Sequence, residues 1–342
     1  MAGASENESQ TIEQGERIYE STELNEFEFY ADEFHQLASI KHCTKYPGHV
    51  DFIPVEDFNL QHLPGHLQDP DIVQLIKCLS NLTVMVRAKS VSPERPEFYP
   101  DTDLPYPLHV KPGRKMNRQL RTGTARVSHP LWKYVEEDDV PCPCAACKVS
   151  STPVKTWCQI PFVTATHVIF DSHELKDTQV VIDYNSARSN KIVLDVFDDG
   201  GFSVFTDRAD IICSTHDVSL YDRLQAQKKE YENLRQKLAK KYNEKDKSTS
   251  LAIMVSHPHG NAKHVTVGQW TNRCQAGRHG DVGYTYNTPS CTGSSGAPVY
   301  ILGEVNWLRN QVHSGVRSDG NFAGVKFFTW DGEGMSQLFL YS

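Results

Sequence analysis

From Thr122 onward, the chain is a succession of short apolar segments separated by turn residues. Examples are Gln159 to Ala165, Ile192 to Phe197, Leu251 to Val255 and Ala297 to Leu302, which are rich in Val, Ile and other strand-forming residues. Short strands at this density are typical of barrels and sandwiches. The sequence therefore predicts a mainly β fold.

The composition is that of a globular protein, with 342 residues of which 39% are apolar and 23% charged. No run of about 18 apolar residues is present, so we expect no membrane-spanning helix. The first ten residues are small, polar and acidic and lack the apolar stretch of a secretory signal. We therefore expect an intracellular location, cytoplasmic or nuclear, in which the 9 cysteines are thiols or metal ligands.

One segment, about residues 218–247, has the periodicity of a helix instead of a strand. Its apolar residues recur at spacings of 4, 7, 3 and 4: Leu220, Leu224, Tyr231, Leu234 and Leu238. Three interpretations stay open: a helical insertion packed on the barrel, a coiled coil that brings about self-association, or a basic face for nucleic acid. The net charge of −8 makes a nucleic-acid partner the least expected.

The segment from Ser290 to Val299, Ser-Cys-Thr-Gly-Ser-Ser-Gly-Ala-Pro-Val, carries the strongest chemical signal. Glycines on both sides of Ser295 allow a tight loop that exposes a nucleophile and turns backbone N–H groups towards one point. The amides of Gly293 and Ser295 are the candidates for an oxyanion hole. Taken alone, such a loop is also compatible with an ordinary turn.

A second segment, Thr164-Ala165-Thr166-His167, ends an apolar strand in a histidine. Together the two segments resemble the trypsin-like, or chymotrypsin-fold, serine proteases, which place their base in Thr-Ala-Ala-His and their nucleophile in Gly-Asp-Ser-Gly-Gly-Pro, in the order His, Asp, Ser. The resemblance covers about residues 120–330. It implies two six-stranded antiparallel β-barrels in a protease domain at 66–342, with an N-terminal extension at 1–65 that is partly disordered.

The resemblance also implies a catalytic acid before a buried strand, and two residues qualify. From Asp207, the residues Ala209, Ile211 and Cys213 alternate onto one face, as a half-buried strand requires. From Asp210, two isoleucines follow at once. Asp207 is marginally preferred, and both remain candidates.

In the implied reaction, His167 takes the proton of Ser295, which attacks a peptide carbonyl and forms an acyl-enzyme. These steps use no cofactor, and the partner is a protein or peptide substrate. Ser294 stands where secreted relatives keep the Asp that pairs with a processed N-terminus, so we expect no such activation. This departure leaves a second hypothesis open, a catalytically inactive binding or scaffolding module, which the presence of both His167 and Ser295 opposes.

The resemblance also points to residues of the substrate pocket. His313, Ser314 and Gly315 lie 18 to 20 residues after Ser295, and Ser290 stands on the opposite wall. A histidine at this place is similar to the glutamyl endopeptidases, because an imidazole can pair with an acidic substrate side chain. We therefore expect a preference for acidic P1 residues, with a neutral aromatic or apolar preference as the alternative.

Thiols provide the candidate metal ligands. Cys142, Cys144 and Cys147 fall within six residues, and Cys158 would complete a tetrahedral structural zinc site. A redox-active pair, free thiols and a local disulfide are the alternatives. A separate Ser-His-Pro-His-Gly turn holds His257 and His259, and we interpret it as structural, with metal binding by the two histidines as the alternative.

Overall fold

Two antiparallel β-sheets form the framework of the protein, as a computed structural model shows. The structure describes residues 41, 43–100, 103, 105–110, 120–204, 206–243, 246–276, 281–304, 312–317 and 320–323. Most of the predicted N-terminal extension, residues 1–40 and 42, lies outside these ranges. The prediction that this part is disordered is therefore untested.

Fourteen strands and four α-helices lie within the described residues. The strands are β1 (Ile53–Pro54), β2 (Thr83–Ala88), β3 (Arg121–Val127), β4 (Trp132–Tyr134), β5 (Trp157–Thr164), β6 (Thr178–Ile182), β7 (Ile192–Ser203), β8 (Arg208–Thr215), β9 (Leu251–Ser256), β10 (His264–Ala276), β11 (Asp281–Tyr286), β12 (Val299–Ile301), β13 (His313–Arg317) and β14 (Gly320–Ala323). The helices are α1 (Pro70–Leu82), α2 (Ala145–Val149), α3 (Ser172–Leu175) and α4 (Val218–Lys241). Short 3₁₀ turns lie at Pro47–His49, Leu60–His62, Gly65–Leu67, Glu136–Asp138, Lys247–Thr249 and Pro258–Gly260.

The first sheet closes into a six-stranded barrel. Its strands follow the order β3-β2-β6-β7-β8-β5-β4, and β3 also pairs with β5, where Arg126 lies opposite Val163. Strand β4 remains outside the closed ring. The prediction of a mainly β fold is confirmed by this barrel and the sheet beside it.

The second sheet follows the order β12-β9-β10-β11-β14-β13, with β1 paired to β10. A bridge between Pro298 and Val312 connects the approaches to β12 and β13. Alternation along β9 divides its side chains between two cores: Ile253 faces the main core, whereas Met254 faces a cluster around Trp270 and Tyr286. Side chains from both sheets thus contribute to the main core.

Helix α4 corresponds to the predicted helical insertion. Asp217 caps its first turn by accepting from the Leu220 amide at 3.0 Å. The apolar stripe is buried within the chain at Leu220, Leu224, Tyr231 and Leu238, and α1 packs beside it. Self-association through this helix stays a prediction, and it would have to use the faces that α1 leaves exposed.

The segment before α1 is part of the same core. Strand β1 pairs with β10, with Ile53 opposite Val265. Phe58, Leu63 and Leu67 are each at most 3% exposed. The predicted boundary after residue 65 therefore falls inside a packed segment.

None of the described helices combines the length and the apolar character that crossing a bilayer requires.

Candidate active site

Asp207 and His167 form a buried pair at one end of the barrel. Asp207 Oδ2 lies 2.7 Å from His167 Nδ1, and Oδ1 accepts from the His167 backbone N–H at 3.1 Å. Asp207 is fully buried in the turn between β7 and β8, where its φ is +50°. Because a carboxylate only accepts, the imidazole carries its proton on Nδ1 and presents Nε2 as an acceptor.

The other candidate acid, Asp210, lies elsewhere. It belongs to β8, where Ala209 and Ile211 are buried, so its own side chain projects from the opposite face. There it accepts from Arg208 Nε at 2.6 Å and Nη2 at 2.7 Å. The structure thus brings Asp207, and not Asp210, to His167.

The loop of Ser295 is fastened to the barrel by Thr124 of β3. The Thr124 amide donates to the Ser295 carbonyl at 2.8 Å, and its hydroxyl donates to the Gly293 carbonyl at 2.8 Å. Gly296 has a φ of +81°, and a Cβ there would lie 2.3 Å from Thr164 Oγ1 and 2.9 Å from the Ala165 nitrogen. Only glycine permits this approach, which seats the loop against the residues that lead into His167.

The backbone around Ser295 leaves two amides available. The Ser294 amide donates to the Cys291 carbonyl and the Gly296 amide to the His313 carbonyl, both at 2.8 Å. No backbone carbonyl within the described ranges accepts from the amides of Gly293 or Ser295. Gly293 has a φ of +88°, which favours glycine. Backbone N–H groups without a carbonyl partner are the kind of donor that an oxyanion hole requires.

Sequence reasoning missed a buried ion cluster behind His167. The Glu174 carboxylate is fully buried and accepts from Arg95 Nε at 2.7 Å and Arg121 Nη2 at 2.6 Å. Burial acts to raise the pKa of Glu174, but the hydrogen bond from Arg95 and the charges of both arginines lower it overall. Glu174 therefore remains ionised.

The same cluster holds the backbone that follows the histidine. Arg95 Nη1 donates to the His167 carbonyl at 3.1 Å, and Arg121 Nε donates to the Val168 carbonyl at 3.2 Å. Glu174 itself accepts from the Phe170 amide at 2.9 Å. Three contacts, at His167, Val168 and Phe170, thus fix the segment from which the imidazole projects. The stretch that holds Arg95 is rich in proline and carries no sequence pattern that signals this role.

The predicted pocket residues lie beside the loop of Ser295. The His313 amide donates to the Ala297 carbonyl at 2.8 Å, which pairs the start of β13 with the residues after Ser295. His313 Nδ1 lies 2.6 Å from Tyr286 Oη, and burial raises the pKa of that phenol well above its usual value. Ser290, His313 and Ser314 are each at most 3% exposed, and Gly315 is half-buried.

The predicted zinc ligands come together in part. The thiols of Cys142, Cys144 and Cys147 lie 3.1, 3.7 and 3.5 Å from His216 Nε2. Cys158 is not a member of this group. On β5 its neighbour Trp157 packs with Cys142 and Cys147, so the side chain of Cys158 projects from the opposite face of the strand. The fourth potential ligand atom of this group belongs to His216, directly after β8.

Solved structures with a remote likeness to this chain include Deg5, at 13% identity and a TM-score of 0.40, with 77% of this chain and 91% of that chain covered. The Rv3671c protease from M. tuberculosis, active form, is 12% identical with a TM-score of 0.38, covering 75% and 82%. The HtrA-type protease AlgW with decapeptide is 11% identical with a TM-score of 0.37, covering 74% and 63%. No family model and no curated protein matches the chain. Likenesses this remote assign no activity, so the case for one rests on the side chains of the site.

Proposed function

We propose that this protein is a serine endopeptidase that hydrolyses peptide bonds through Ser295, His167 and Asp207. The observation that carries the proposal is the buried hydrogen bond of 2.7 Å between Asp207 and His167 Nδ1, next to a loop that only glycine at 296 can seat. A carboxylate in this position fixes the imidazole tautomer that a general base needs. A histidine with a purely structural role would not require the loop of Ser295 to pack against the end of the strand that precedes it.

The proposed reaction follows from these contacts. His167 Nε2 takes the Ser295 proton as Oγ bonds to the substrate carbonyl carbon, and the amides of Gly293 and Ser295 hold the resulting oxyanion. His167 then gives its proton to the leaving amine as the C–N bond breaks. Water, deprotonated by the same nitrogen, attacks the acyl-enzyme, and His167 returns this proton to Ser295 Oγ as the acyl bond breaks. Asp207 stabilises the imidazolium throughout, and none of these steps calls on a cofactor.

A fluorophosphonate probe tests the proposal, because it reacts covalently only with an activated serine. We expect the wild type to be labelled at Ser295, and both Ser295→Ala and His167→Ala to be unlabelled. Equal labelling of Ser295→Ala would place the reaction at another residue. A folded wild type that is not labelled would favour the alternative function, an inactive binding or scaffolding module.

We further propose that the enzyme prefers acidic P1 residues. The support is His313, which pairs with the residues after Ser295 and is oriented by Tyr286. Peptides that differ only in Glu, Gln or Phe at P1 separate the choices. Faster cleavage after Glu that is lost in His313→Leu would support pairing with a carboxylate. Equal rates after Glu and Gln, or a preference for Phe, would contradict it.

We also propose a structural zinc ion bound by Cys142, Cys144, Cys147 and His216. Three thiolates and one imidazole are a ligand set of closed zinc sites, and the four ligand atoms lie within 4.8 Å of one another. Such an ion would join the segment around α2 to the end of β8. The expected intracellular location, cytoplasmic or nuclear, is consistent with reduced thiols here and stays a prediction.

A further inference from the structure

A second group of thiols and imidazoles lies beside the nucleophile loop. Cys43, His49, His259 and Cys291 bring one ligand atom each to within 4.8 Å of the others. Cys291 Sγ is 2.9 Å from His259 Nε2 and 3.4 Å from Cys43 Sγ, and the rings of His49 and His259 are 5.0 Å apart. Around a tetrahedral zinc ion, two sulfurs lie about 3.8 Å apart and a sulfur and a nitrogen about 3.5 Å apart. The group is therefore of the size that one zinc ion requires.

The two histidines of this group are more deeply buried than histidines usually are. His49 and His259 are 8% and 4% exposed, and Cys291 is 2% exposed. Neither ring nitrogen of His49 has a hydrogen-bond partner among the residues that the structure describes. Because a buried polar atom without a partner is costly, an imidazole in this position calls for a ligand.

The backbone at both histidines is also in an uncommon conformation. His49 has a φ of +49° and His259 a φ of +51°, values that bulky residues seldom adopt. At Cys43, the Tyr46 amide points at the sulfur from 3.4 Å, as amides do towards metal-bound thiolates. Strained conformations persist where surrounding contacts hold them in place, and a metal ion would do so here.

A disulfide explains these contacts less well. The two sulfurs at 3.4 Å are far beyond a bonded distance of about 2.05 Å. A disulfide between Cys43 and Cys291 would also leave both histidines without a role.

We propose that Cys43, His49, His259 and Cys291 bind a structural Zn²⁺ ion that fastens the N-terminal segment to the loop of Ser295. Two cysteine thiols lose their protons on binding, so that two thiolates and two neutral imidazoles surround the ion and the site has no net charge. The metal site does not depend on the proposed protease function. The expected effect of the ion on the reactivity of Ser295 rests on that proposed function.

That consequence follows from the contacts of the turn that holds His259. The His259 amide donates to the Thr292 carbonyl at 2.5 Å, and a Cβ on Gly293 would lie 2.5 Å from the His257 carbonyl oxygen. Cys291 lies four residues before Ser295. The ion would therefore bind Cys291 of the loop and His259 of the turn beside it, and so fix the position of the Gly293 amide between them.

Zinc content, measured by plasma mass spectrometry on the purified full-length chain, tests the proposal. We expect two zinc ions per chain in the wild type, one at each group of ligands. Cys43→Ala and His49→Ala should each lose one ion, and Cys147→Ala should lose the other. The matched control is Cys78→Ala, because Cys78 is buried outside both groups and should retain the wild-type content. If Cys43→Ala retains as much zinc as Cys78→Ala, the proposal is wrong.

A second measurement needs no variant and decides the matter should Cys43→Ala fail to fold. X-ray absorption at the zinc edge of the wild type should give five sulfur and three nitrogen ligands for two ions. Three sulfurs and one nitrogen for a single ion, or an intact mass that reveals a Cys43–Cys291 disulfide, would overturn the second site.

The probe separates this proposal from the enzymatic one. The fluorophosphonate probe should label Ser295 at least tenfold more slowly in Cys43→Ala than in Cys78→Ala. Loss of one zinc ion with an unchanged labelling rate would refute the effect on Ser295. A wild type that binds two zinc ions and is never labelled would refute the protease and leave the metal site standing.

Discussion

Asp207 holds His167 at two points, because its carboxylate accepts both from the ring Nδ1 at 2.7 Å and from the His167 backbone amide at 3.1 Å. The side chain and the main chain of the histidine are thus oriented by one buried group. A single hydrogen bond to Nδ1 would fix the tautomer but leave the ring free to pivot. The two contacts together fix the tautomer and the orientation of the ring.

Asp207→Asn tests the role of the acid. An amide can donate to Nδ1 and so stabilise the wrong tautomer, which should lower kcat for peptide cleavage on the order of 10⁴-fold. The matched control is Asp210→Asn, three residues away. Asp210 pairs with Arg208 at a partly exposed site, and surface pairs of this kind contribute little. Equal loss of activity in the two variants would contradict the assignment of Asp207.

Glu174→Gln should reduce both stability and turnover. The change leaves Arg95 and Arg121 buried without their counter-charge, which should lower the free energy of unfolding by about 3–5 kcal/mol. Because Arg95 also holds the His167 carbonyl, kcat should fall while KM changes little. Denaturant titration and steady-state kinetics measure the two effects.

Glu136→Gln is the control for this prediction. Glu136 pairs with Lys155 where both side chains are 64% exposed, so neither stability nor activity should change measurably. A Glu174→Gln variant as stable and as active as Glu136→Gln would show that the buried cluster does not position His167.

The features that the sequence predicted depend on local patterns. The loop of Ser295 needs glycines at fixed offsets, and the choice of Asp207 depended on the alternation of Ala209 and Ile211, which lies within one strand. Features of this kind are visible because the contacts they encode lie within a few residues. The mainly β fold was predictable for the same reason.

The features that the sequence concealed depend on contacts between segments that lie far apart in the chain. Glu174 meets Arg95 across 79 residues, and Cys291 meets Cys43 across 248. Cys158 was the expected fourth zinc ligand because it is near Cys147 in sequence, but the pleat of β5 turns it away, whereas β8 delivers His216. For the zinc ligands, the face of β5 that Cys158 occupies and the strand that lies beside β5 decided the outcome.

Leu224→Ala tests how the apolar stripe of α4 is covered. Leu224 is fully buried, and its truncation should lower the free energy of unfolding by about 2–5 kcal/mol. If α1 covers the stripe within one chain, the melting temperature should not depend on protein concentration. The control Lys229→Ala, on the exposed side of α4, should leave stability unchanged. A melting temperature of the wild type that rises with protein concentration would contradict this and favour self-association.

Lys263 should make stability depend on pH. Its side chain is 1% exposed and donates to the Ser80 carbonyl at 2.5 Å, and burial lowers the pKa of its ammonium from 10.5 to about 7. Between these two values the unfolded chain binds a proton that the folded chain does not, so the free energy of unfolding should rise with pH by up to about 1.4 kcal/mol per unit. Below pH 7 both states are protonated, and this contribution stays at its lower level.

Urea titrations from pH 6 to 10 should show that Lys263→Met removes the rise, whereas Lys89→Met, at an exposed position, retains it. The Ser80 carbonyl retains the Thr83 amide as a partner in that variant, so the loss of the lysine leaves no orphaned acceptor. Parallel pH profiles for Lys263→Met and the wild type would show that the folded chain keeps Lys263 charged.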